Sequence, residues 1–211
     1  MWYKKRIFLI DFDRTISNED STDVLLETHN PEFKKDLRKR YKAGKVTIRQ
    51  FIKEGLSSLN ITKDEYIKTL QEKVTIDESF KDFVKSGLEF RIVSAGSRLN
   101  VQGSLLGYGI DLPDEKIISN DLKFDGNKIT VENLFLDKEK IYGVDKKEAV
   151  EKFKKQGYEV IYVGDGPSDY RAMEVADFVL VRKGTRAVKF CSENGINFRE
   201  FESFSEILKT F

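Results

Sequence analysis

Acidic and small polar residues directly follow three short apolar runs of the sequence, and their types can support nucleophilic and metal-assisted chemistry. Each run has about four residues rich in Ile, Val and Phe, a pattern typical of strands buried on both faces. In open α/β sheets, ligands bind outside the carboxyl ends of the strands, so the residues after the runs are candidates for a site. The runs and the segments that follow them are Ile7–Ile10 with Asp11–Thr15, Phe90–Val93 with Ser94–Ser97, and Val160–Val163 with Gly164–Asp169.

Ordinary turns are the alternative interpretation of these segments, because Asp, Ser and Gly are also the residues that turns use. For any one segment alone, a turn is the simpler explanation. Three such segments at one edge of a predicted sheet favour a functional site instead, since parallel strands place their carboxyl ends at the same edge.

The carboxylates of Asp11, Asp13 and Asp165 fit a phosphoryl-transfer mechanism. Phosphate monoesters hydrolyse very slowly unaided, so a site must supply a nucleophile and stabilise charge. Asp11 can be that nucleophile and form an aspartyl-phosphate. Asp11 and Asp165 on adjacent strand ends would repel each other without a cation, and Mg²⁺ favours one or two carboxylates with phosphate oxygens and water. Asp13 is placed to protonate the leaving oxygen and later to activate water.

Two further groups are needed to hold and neutralise the phosphoryl group. Ser94 can donate a hydrogen bond to it, and a lysine is expected to neutralise the remaining charge. Lys146 and Lys147 both stand at the start of the helix predicted before the third apolar run, and their residue type alone leaves the choice between them open.

The three segments, together with a lysine before the last of them, resemble in chain order the four motifs of phosphatases of the haloacid dehalogenase superfamily. Asp11–Thr15 resembles the first motif, Asp-x-Asp-x-Thr after a buried strand, and Gly164–Asp169 resembles the fourth. These two motifs together are specific, whereas Ser94 for the second motif and Lys146 for the third are weak signals alone. Lys146 is preferred over Lys147 because the pattern Lys-x-Glu-x-Val that starts there fits the helix start of that family.

The resemblance implies a catalytic or metal-binding role for each aspartate. Asp11 would be the nucleophile and a magnesium ligand. Asp13 would be the general acid and base, with its backbone carbonyl on the metal. Asp165 would be a second carboxylate ligand of magnesium, and Asp169 would bind the metal or orient its water.

Contacts with phosphate and substrate are also implied by the resemblance. Ser94 and the Ala95 N–H would hold phosphate, and Lys146 would pair with both phosphate and the nucleophile. Members like phosphoserine phosphatase often carry an acidic residue nine positions after the nucleophile, which is Asp20 here. The family usually has Gly or Ser where this chain has Arg14, a long cation that can reach a substrate carboxylate or form an ion pair with the cap.

A small phosphorylated metabolite is the implied substrate, with phosphoserine as one candidate. Phosphoserine phosphatases generally have Glu at the position of Asp20, whereas Asp there and the segment Phe198–Leu208 are more like the methionine-salvage phosphatases that act on a keto-pentenyl phosphate. A phosphotransferase that passes the phosphoryl group to an alcohol is a further alternative. A non-catalytic signalling module is disfavoured by Asp13, because a phospho-acceptor domain needs no leaving-group acid.

Strands that alternate with helices predict an α/β fold, with a Rossmann-like parallel sheet and helices on both faces. The stretch 17–76 is longer than a strand crossover needs and has helical patterning, including a capping box at Thr62–Glu65. It is predicted to be a small all-helical cap inserted after the first strand, with 1–16 and 77–211 forming the core. A hairpin is predicted around Asp125–Asn127.

Composition narrows the expected partners and location. Lys and Arg total 37 and Asp and Glu total 36, so a net charge of +1 provides no field to hold nucleic acid or anionic lipid, and small ligands are expected. The single cysteine, Cys191, and the single histidine, His29, exclude an intramolecular disulfide and a multi-histidine metal cage. Apolar runs are too short for a membrane span, so a cytoplasmic location is expected. Tyr162 is assigned to sheet packing, and the oligomeric state is unknown.

Overall fold

The computed structural model describes residues 5–133, 138 and 140–211. None of the helices in this part of the chain has the length and apolar character that a membrane span requires. The strands are β1 (Arg6–Ile10), β2 (Phe90–Ser97), β3 (Ile117–Asp125), β4 (Lys128–Glu132), β5 (Glu159–Gly164), β6 (Phe178–Arg182) and β7 (Phe198–Phe201). The α-helices are α1 (Ser21–His29), α2 (Pro31–Lys42), α3 (Ile48–Ser57), α4 (Lys63–Lys73), α5 (Phe80–Lys85), α6 (Arg98–Leu106), α7 (Lys146–Lys155), α8 (Tyr170–Met173), α9 (Arg186–Glu193) and α10 (Phe204–Thr210).

The strands form a seven-stranded sheet in the order β4-β3-β2-β1-β5-β6-β7. Pairing is parallel from β2 through β1, β5 and β6 to β7, with Phe8 of β1 opposite both Phe90 and Ile161. β3 and β4 pair in the antiparallel sense. This mostly parallel sheet, whose strands alternate with helices along the chain, confirms the predicted α/β fold class.

Residue contacts divide the chain into two compact units. The first consists of the described parts of Met1–Ile16, Ile76–Val93 and Lys146–Phe211, and the second of those of Ser17–Thr75 and Ser94–Asp145. The separation into an α/β core and a helical cap at the boundaries expected from the sequence stays a prediction.

Aromatic packing in the first unit fixes the strand that carries the first motif. Phe8, Phe80, Phe83, Phe90 and Phe204 are almost fully buried and contact one another, with ring centroids between 4.9 Å and 6.0 Å apart. Burial of each such ring contributes about 1.5–3 kcal/mol. The cluster thereby ties β1 and β2 to helices α5 and α10.

The second unit has its own buried cluster, in which helices and the β3–β4 hairpin share one core. Leu26, Leu56, Tyr66 and Leu70 come from helices α1, α3 and α4, and Ile129 comes from β4. Apolar residues at helical spacing on each helix and at alternate positions of the strand supply this core, as amphipathic patterning predicts.

Two local predictions in this unit are confirmed. The Thr62 hydroxyl accepts a hydrogen bond from the Glu65 N–H at 3.2 Å, and the Glu65 carboxylate accepts one from the Thr62 N–H at 2.8 Å, which is a capping box at the start of α4. The predicted hairpin is formed by β3, which ends at Asp125, and β4, which begins at Lys128. Gly126 between them has φ 56°, a left-handed conformation that glycine adopts without steric cost.

Candidate active site

Asp11 is the first residue after β1, and strand pairing fixes its position. Ile10 of β1 lies opposite Ile92 of β2 and Val163 of β5. The Asp11 N–H donates to the Val163 carbonyl at 2.9 Å, which holds Asp11 at the carboxyl end of the strands. Asp11 is only 4% exposed, and its Oδ1 accepts a hydrogen bond from the Phe12 N–H at 2.8 Å.

A tight turn follows Asp11 and contains Asp13. The N–H groups of Thr15 and Ile16 both donate to the Phe12 carbonyl, at 3.2 Å and 2.9 Å. Arg14 is exposed and has φ 63°, a left-handed conformation that costs a non-glycine residue about 1 kcal/mol or more. Backbone strain of this kind clusters at functional sites.

Asp169 accepts four hydrogen bonds through its carboxylate. Its Oδ2 accepts hydrogen bonds from the N–H groups of Asp165 and Gly166, each at 3.1 Å. Its Oδ1 accepts one from the Tyr162 hydroxyl at 2.7 Å and one from Lys146 Nζ at 2.7 Å. A carboxylate has about four lone-pair sites, so these donors together fill the hydrogen-bonding capacity of Asp169.

Lys146 lies between two buried carboxylates. Its Nζ is 2.6 Å from Asp11 Oδ1 and 2.7 Å from Asp169 Oδ1, and it also contacts the Ser168 hydroxyl at 3.2 Å. Lys146 is only 3% exposed, although lysine is almost never buried without a charged partner. Lys147, the competing candidate, is half-exposed and lies 3.8 Å from the carboxylate of Glu151.

A divalent cation fits the acidic cluster of the first unit. One carboxylate oxygen from each of Asp11, Asp165 and Asp169 can be chosen such that all three lie within 4.8 Å of one another. These groups offer only oxygen ligands, which hard cations such as Mg²⁺ and Ca²⁺ prefer. The chemistry of this donor set therefore agrees with a divalent metal.

The ionisable groups of the site perturb one another. Burial, followed by the charge of Asp169, raises the pKa of Asp11 well above its ordinary value, although Lys146 opposes the shift. Burial alone would lower the pKa of Lys146, but the carboxylates of Asp11 and Asp169 outweigh it and raise that pKa. Burial and Asp169 raise the pKa of Tyr162, so its hydroxyl stays protonated and donates.

The other residues expected at the site lie in the second unit. Ser94 is buried in β2, and its hydroxyl accepts a hydrogen bond from the Gly96 N–H at 3.1 Å. The Ala95 carbonyl accepts one from Asn120 Nδ2 at 2.9 Å. Asp20 is the N-cap of α1, where its Oδ1 accepts a hydrogen bond from the Asp23 N–H at 3.0 Å.

Tyr162 and Asn120 make contacts that the sequence analysis did not assign. Tyr162 packs in the sheet as expected, but it also donates to Asp169. A signal for this contact existed, because a buried tyrosine hydroxyl usually has a hydrogen-bond partner. Asn120 also donates to the Gly96 carbonyl at 2.8 Å, and no pattern in the sequence indicated this contact.

Gly164 leaves the space that Asp169 occupies, and Gly164→Ala is expected to destabilise the protein by about 1–3 kcal/mol. An added Cβ would lie 2.7 Å from Asp169 Oδ2 and 2.8 Å from its Cγ, so the carboxylate would have to shift from its present position. Gly166→Ala is the matched control, since a Cβ there has no other atom within 4 Å. Urea unfolding of both variants measures the difference, and equal stabilities would contradict the prediction.

A family model shows the family of this chain, and two relatives are similar to it. The chain matches the profile of the haloacid dehalogenase-like hydrolases over residues 8–174. It is 29% identical to the polyol phosphate phosphatase PYP1 of Saccharomyces cerevisiae, over 97% of this chain and 91% of that protein. It is 28% identical to a 2-hydroxy-3-keto-5-methylthiopentenyl-1-phosphate phosphatase of Lysinibacillus sphaericus, over 97% of this chain and 93% of that protein.

The fold has a counterpart among solved structures. A substrate-bound phosphoserine phosphatase complex superimposes with a TM-score of 0.72 at 24% sequence identity, and the match covers 100% of both chains. At that identity the likeness concerns the fold.

Proposed function

Since the chain belongs to the haloacid dehalogenase-like hydrolase family and is a phosphoric monoester hydrolase, we propose that it cleaves a small phosphorylated metabolite with magnesium, through an aspartyl-phosphate on Asp11. The observation that carries the proposal is the buried ammonium group of Lys146, whose Nζ lies 2.6 Å from Asp11 Oδ1 and 2.7 Å from Asp169 Oδ1. A fixed positive charge beside the nucleophile stabilises the charge that the transferring phosphoryl group brings.

Asp11 and Asp13 divide the covalent steps between them in this proposal. A carboxylate oxygen of Asp11 forms a bond to phosphorus as the ester P–O bond breaks, and Asp13 gives its proton to the leaving oxygen. A water oxygen then attacks phosphorus while Asp13 takes its proton. The bond between phosphorus and Asp11 breaks, which regenerates the carboxylate and releases inorganic phosphate.

Asp169 would bind the metal or orient its water, and it also contacts Lys146. The resemblance to the family leaves two roles open, a metal ligand or a group that orients the metal's water. The four protein donors around the carboxylate support a positioning role over direct ligation, because a cation would have to displace one of them. Tyr162 and the loop N–H groups thus hold Asp169, and Asp169 holds the lysine.

Magnesium would be held by the carboxylates of Asp11 and Asp165 and by the backbone carbonyl of Asp13. When bound, the ion would neutralise phosphoryl oxygens and the carboxylates around it. The raised pKa of Asp11 supports this assignment, since buried carboxylates at close range resist ionisation until a cation compensates them.

Ser94 and the Ala95 N–H are proposed to hold the phosphoryl group, and Asp20 and Arg14 to select the substrate. The match of Ser94 to the second motif of the family supports the first assignment. The strained backbone of Arg14, three residues after Asp11, supports the placement of this turn at the functional site.

Candidate substrates are a polyol phosphate and a methylthiopentenyl phosphate, after the names of the two relatives, and phosphoserine. Each offers a hydroxyl or an ammonium group besides the phosphate, and the carboxylate of Asp20 can accept a hydrogen bond from either. Transfer to an alcohol is the alternative outcome. Added glycerol would then yield glycerol phosphate in place of free phosphate.

Removal of divalent metal with EDTA is expected to lower the rate of phosphate release from p-nitrophenyl phosphate by about 100-fold or more. Added Mg²⁺ should restore the rate and raise the melting temperature, because the ion binds the folded state. Ca²⁺ serves as the control, because it also binds oxygen ligands but does not impose the octahedral geometry of Mg²⁺. A wild-type rate that persists in EDTA would rule out the metal.

A reducing cytoplasm is the proposed location. Cys191 is buried, and burial raises the pKa of its thiol to about 11, so the group stays protonated and unreactive. The balance of charges and the small substrates of the relatives support a metabolic role there, with no nucleic acid or membrane partner.

A further inference from the structure

Asn100 of α6 is a fully buried carboxamide whose hydrogen-bonding capacity is completely used. Its Oδ1 accepts hydrogen bonds from the hydroxyl of Tyr66 and from that of Ser97, the latter at 2.6 Å. Its Nδ2 donates to the hydroxyls of Ser21 at 2.8 Å and of Thr22 at 3.3 Å. A carboxamide can accept two hydrogen bonds and donate two, so no site on this group is left over.

The hydrogen bonds fix the orientation of the Asn100 amide. The Ser97 hydroxyl accepts a hydrogen bond from the Asn100 N–H at 3.1 Å, and its own hydrogen is directed to Asn100 Oδ1. All five side chains of this network are fully buried. Each buried bond that is lost therefore leaves a polar group without compensation, at a cost of about 1–3 kcal/mol.

The network joins two segments that the proposed function places at the substrate. Ser21 and Thr22 form the start of α1, whose N-cap is Asp20. Ser97 is the N-cap of α6 and ends the strand that carries Ser94 and Ala95. Both segments belong to the second unit of the chain.

We propose that Asn100 is a positioning residue that fixes the start of α1 to the start of α6, and so sets the separation of Asp20 from the phosphate-binding residues Ser94 and Ala95. This inference rests on the proposed function. It assigns substrate selectivity, in part, to a carboxamide that touches neither the substrate nor the metal. Tyr66, which also donates a hydrogen bond to Asn100, lies on α4, and no substrate contact is proposed for that helix.

Different substrates depend differently on this separation. p-Nitrophenyl phosphate offers a phosphoryl group and an aromatic ring with no hydroxyl or ammonium donor for Asp20. Sorbitol 6-phosphate, glycerol 3-phosphate and phosphoserine carry such donors, so their binding requires Asp20 and the phosphate-binding residues at matched positions. If Asp20 is no longer held at its position, the activity on the metabolite phosphates therefore falls relative to the activity on p-nitrophenyl phosphate.

Ser21→Ala removes a hydrogen bond between Asn100 and α1. Tyr66→Phe is the matched control, because it removes the hydrogen bond between Asn100 and α4. Each substitution deletes one buried hydroxyl that faces the same carboxamide. For Ser21→Ala, kcat/KM for the best of the three metabolite phosphates should fall about tenfold or more through KM, whereas that for p-nitrophenyl phosphate stays within about twofold. Tyr66→Phe should lower the melting temperature to a similar extent and leave the ratio of the two activities unchanged.

Three results would overturn the inference. In the first, both variants lose both activities in parallel with stability, which shows a structural role alone. In the second, the ratio is unchanged in Ser21→Ala. In the third, the wild type hydrolyses p-nitrophenyl phosphate but none of the three metabolites, so there is no selectivity to maintain. Thr22→Val replaces Ser21→Ala if that variant does not fold, and a wild type inactive on every ester refutes the proposed function itself.

Discussion

Asp11→Asn is expected to abolish phosphate release from p-nitrophenyl phosphate while the protein stays folded. An amide of the same size cannot attack phosphorus as a carboxylate does, so the covalent route is lost. Removal of a single catalytic residue in other enzymes lowers kcat by about 10⁴-fold to 10⁶-fold, and a loss of at least about 10⁴-fold is expected here. Initial rates with saturating Mg²⁺ measure it.

The control for Asp11→Asn is the same substitution at an exposed position. Asp111 is exposed, and Asp111→Asn should leave the rate within about twofold of wild type. Wild-type rates in Asp11→Asn would falsify the assignment of the nucleophile, because no other route in the proposed mechanism uses a covalent intermediate.

Stability provides a second measurement on the same variant. The pKa of Asp11 is raised in the folded protein by burial and by Asp169, so the folded state binds the proton more tightly than the unfolded chain does. Metal-free wild-type protein should therefore lose stability as the pH rises from the ordinary carboxyl range through the raised pKa. Asparagine does not titrate, and metal-free Asp11→Asn should melt at a higher temperature than metal-free wild type at pH 7.

The fold class could be predicted from the sequence because the central strands β1, β5 and β6 contain continuous apolar runs. Residues such as Val163 and Ile10 are buried on both faces of a parallel sheet, which leaves no polar alternation to confuse the pattern. Turn and cap signals depend on local geometry alone. The capping box at Thr62 and the hairpin at Gly126 were therefore predictable without knowledge of the tertiary structure.

The pattern of apolar residues around Lys146 and Lys147 indicates which of the two lysines is buried. Lys146 shares one face of α7 with Ala149, Val150 and Phe153, at spacings of three, four and seven residues, and all four are buried. That spacing is a physical signal that Lys146 faces the interior, whereas Lys147 lies about 100° further around the helix.

Hydrogen bonds between distant segments could not be predicted in the same way. The hydrogen bond from Tyr162 to Asp169 and the four side-chain hydrogen bonds of Asn100 depend on where the fold places the hydroxyl groups of distant residues. Apolar periodicity reports which side chains are buried but carries no information on which polar partner each one meets. Such networks have to be observed, and they are the part of the site that the sequence left open.

Lys146→Met is expected to destabilise the protein by about 3–5 kcal/mol, the usual cost of removing one partner from a buried ion pair. Methionine fills a similar volume, so the loss is electrostatic. The carboxylates of Asp11 and Asp169 would be left in a buried site without the cation that now lies 2.6 Å and 2.7 Å from them. Phosphatase activity should fall by about 10²-fold to 10³-fold, because a charge that stabilises the phosphoryl group is removed.

Lys147→Met is the matched control, one residue away on the same helix. Its amino group is half-exposed and lies 3.8 Å from Glu151, so the substitution should change stability by no more than about 0.5 kcal/mol. Urea unfolding with a shared m-value compares the two variants. A larger loss in Lys147→Met than in Lys146→Met would reverse the assignment of the catalytic lysine.

The double variant Lys146→Met/Asp11→Asn separates electrostatic strain from lost packing. If the cost of Lys146→Met comes from two uncompensated carboxylates, neutralising Asp11 should recover a substantial part of it, and the two effects will not add. Additive losses would show instead that the lysine stabilises the site through the packing of its aliphatic chain. The result decides whether Lys146 is held in the interior by the charges of Asp11 and Asp169, on which the proposed stabilisation of the phosphoryl group depends.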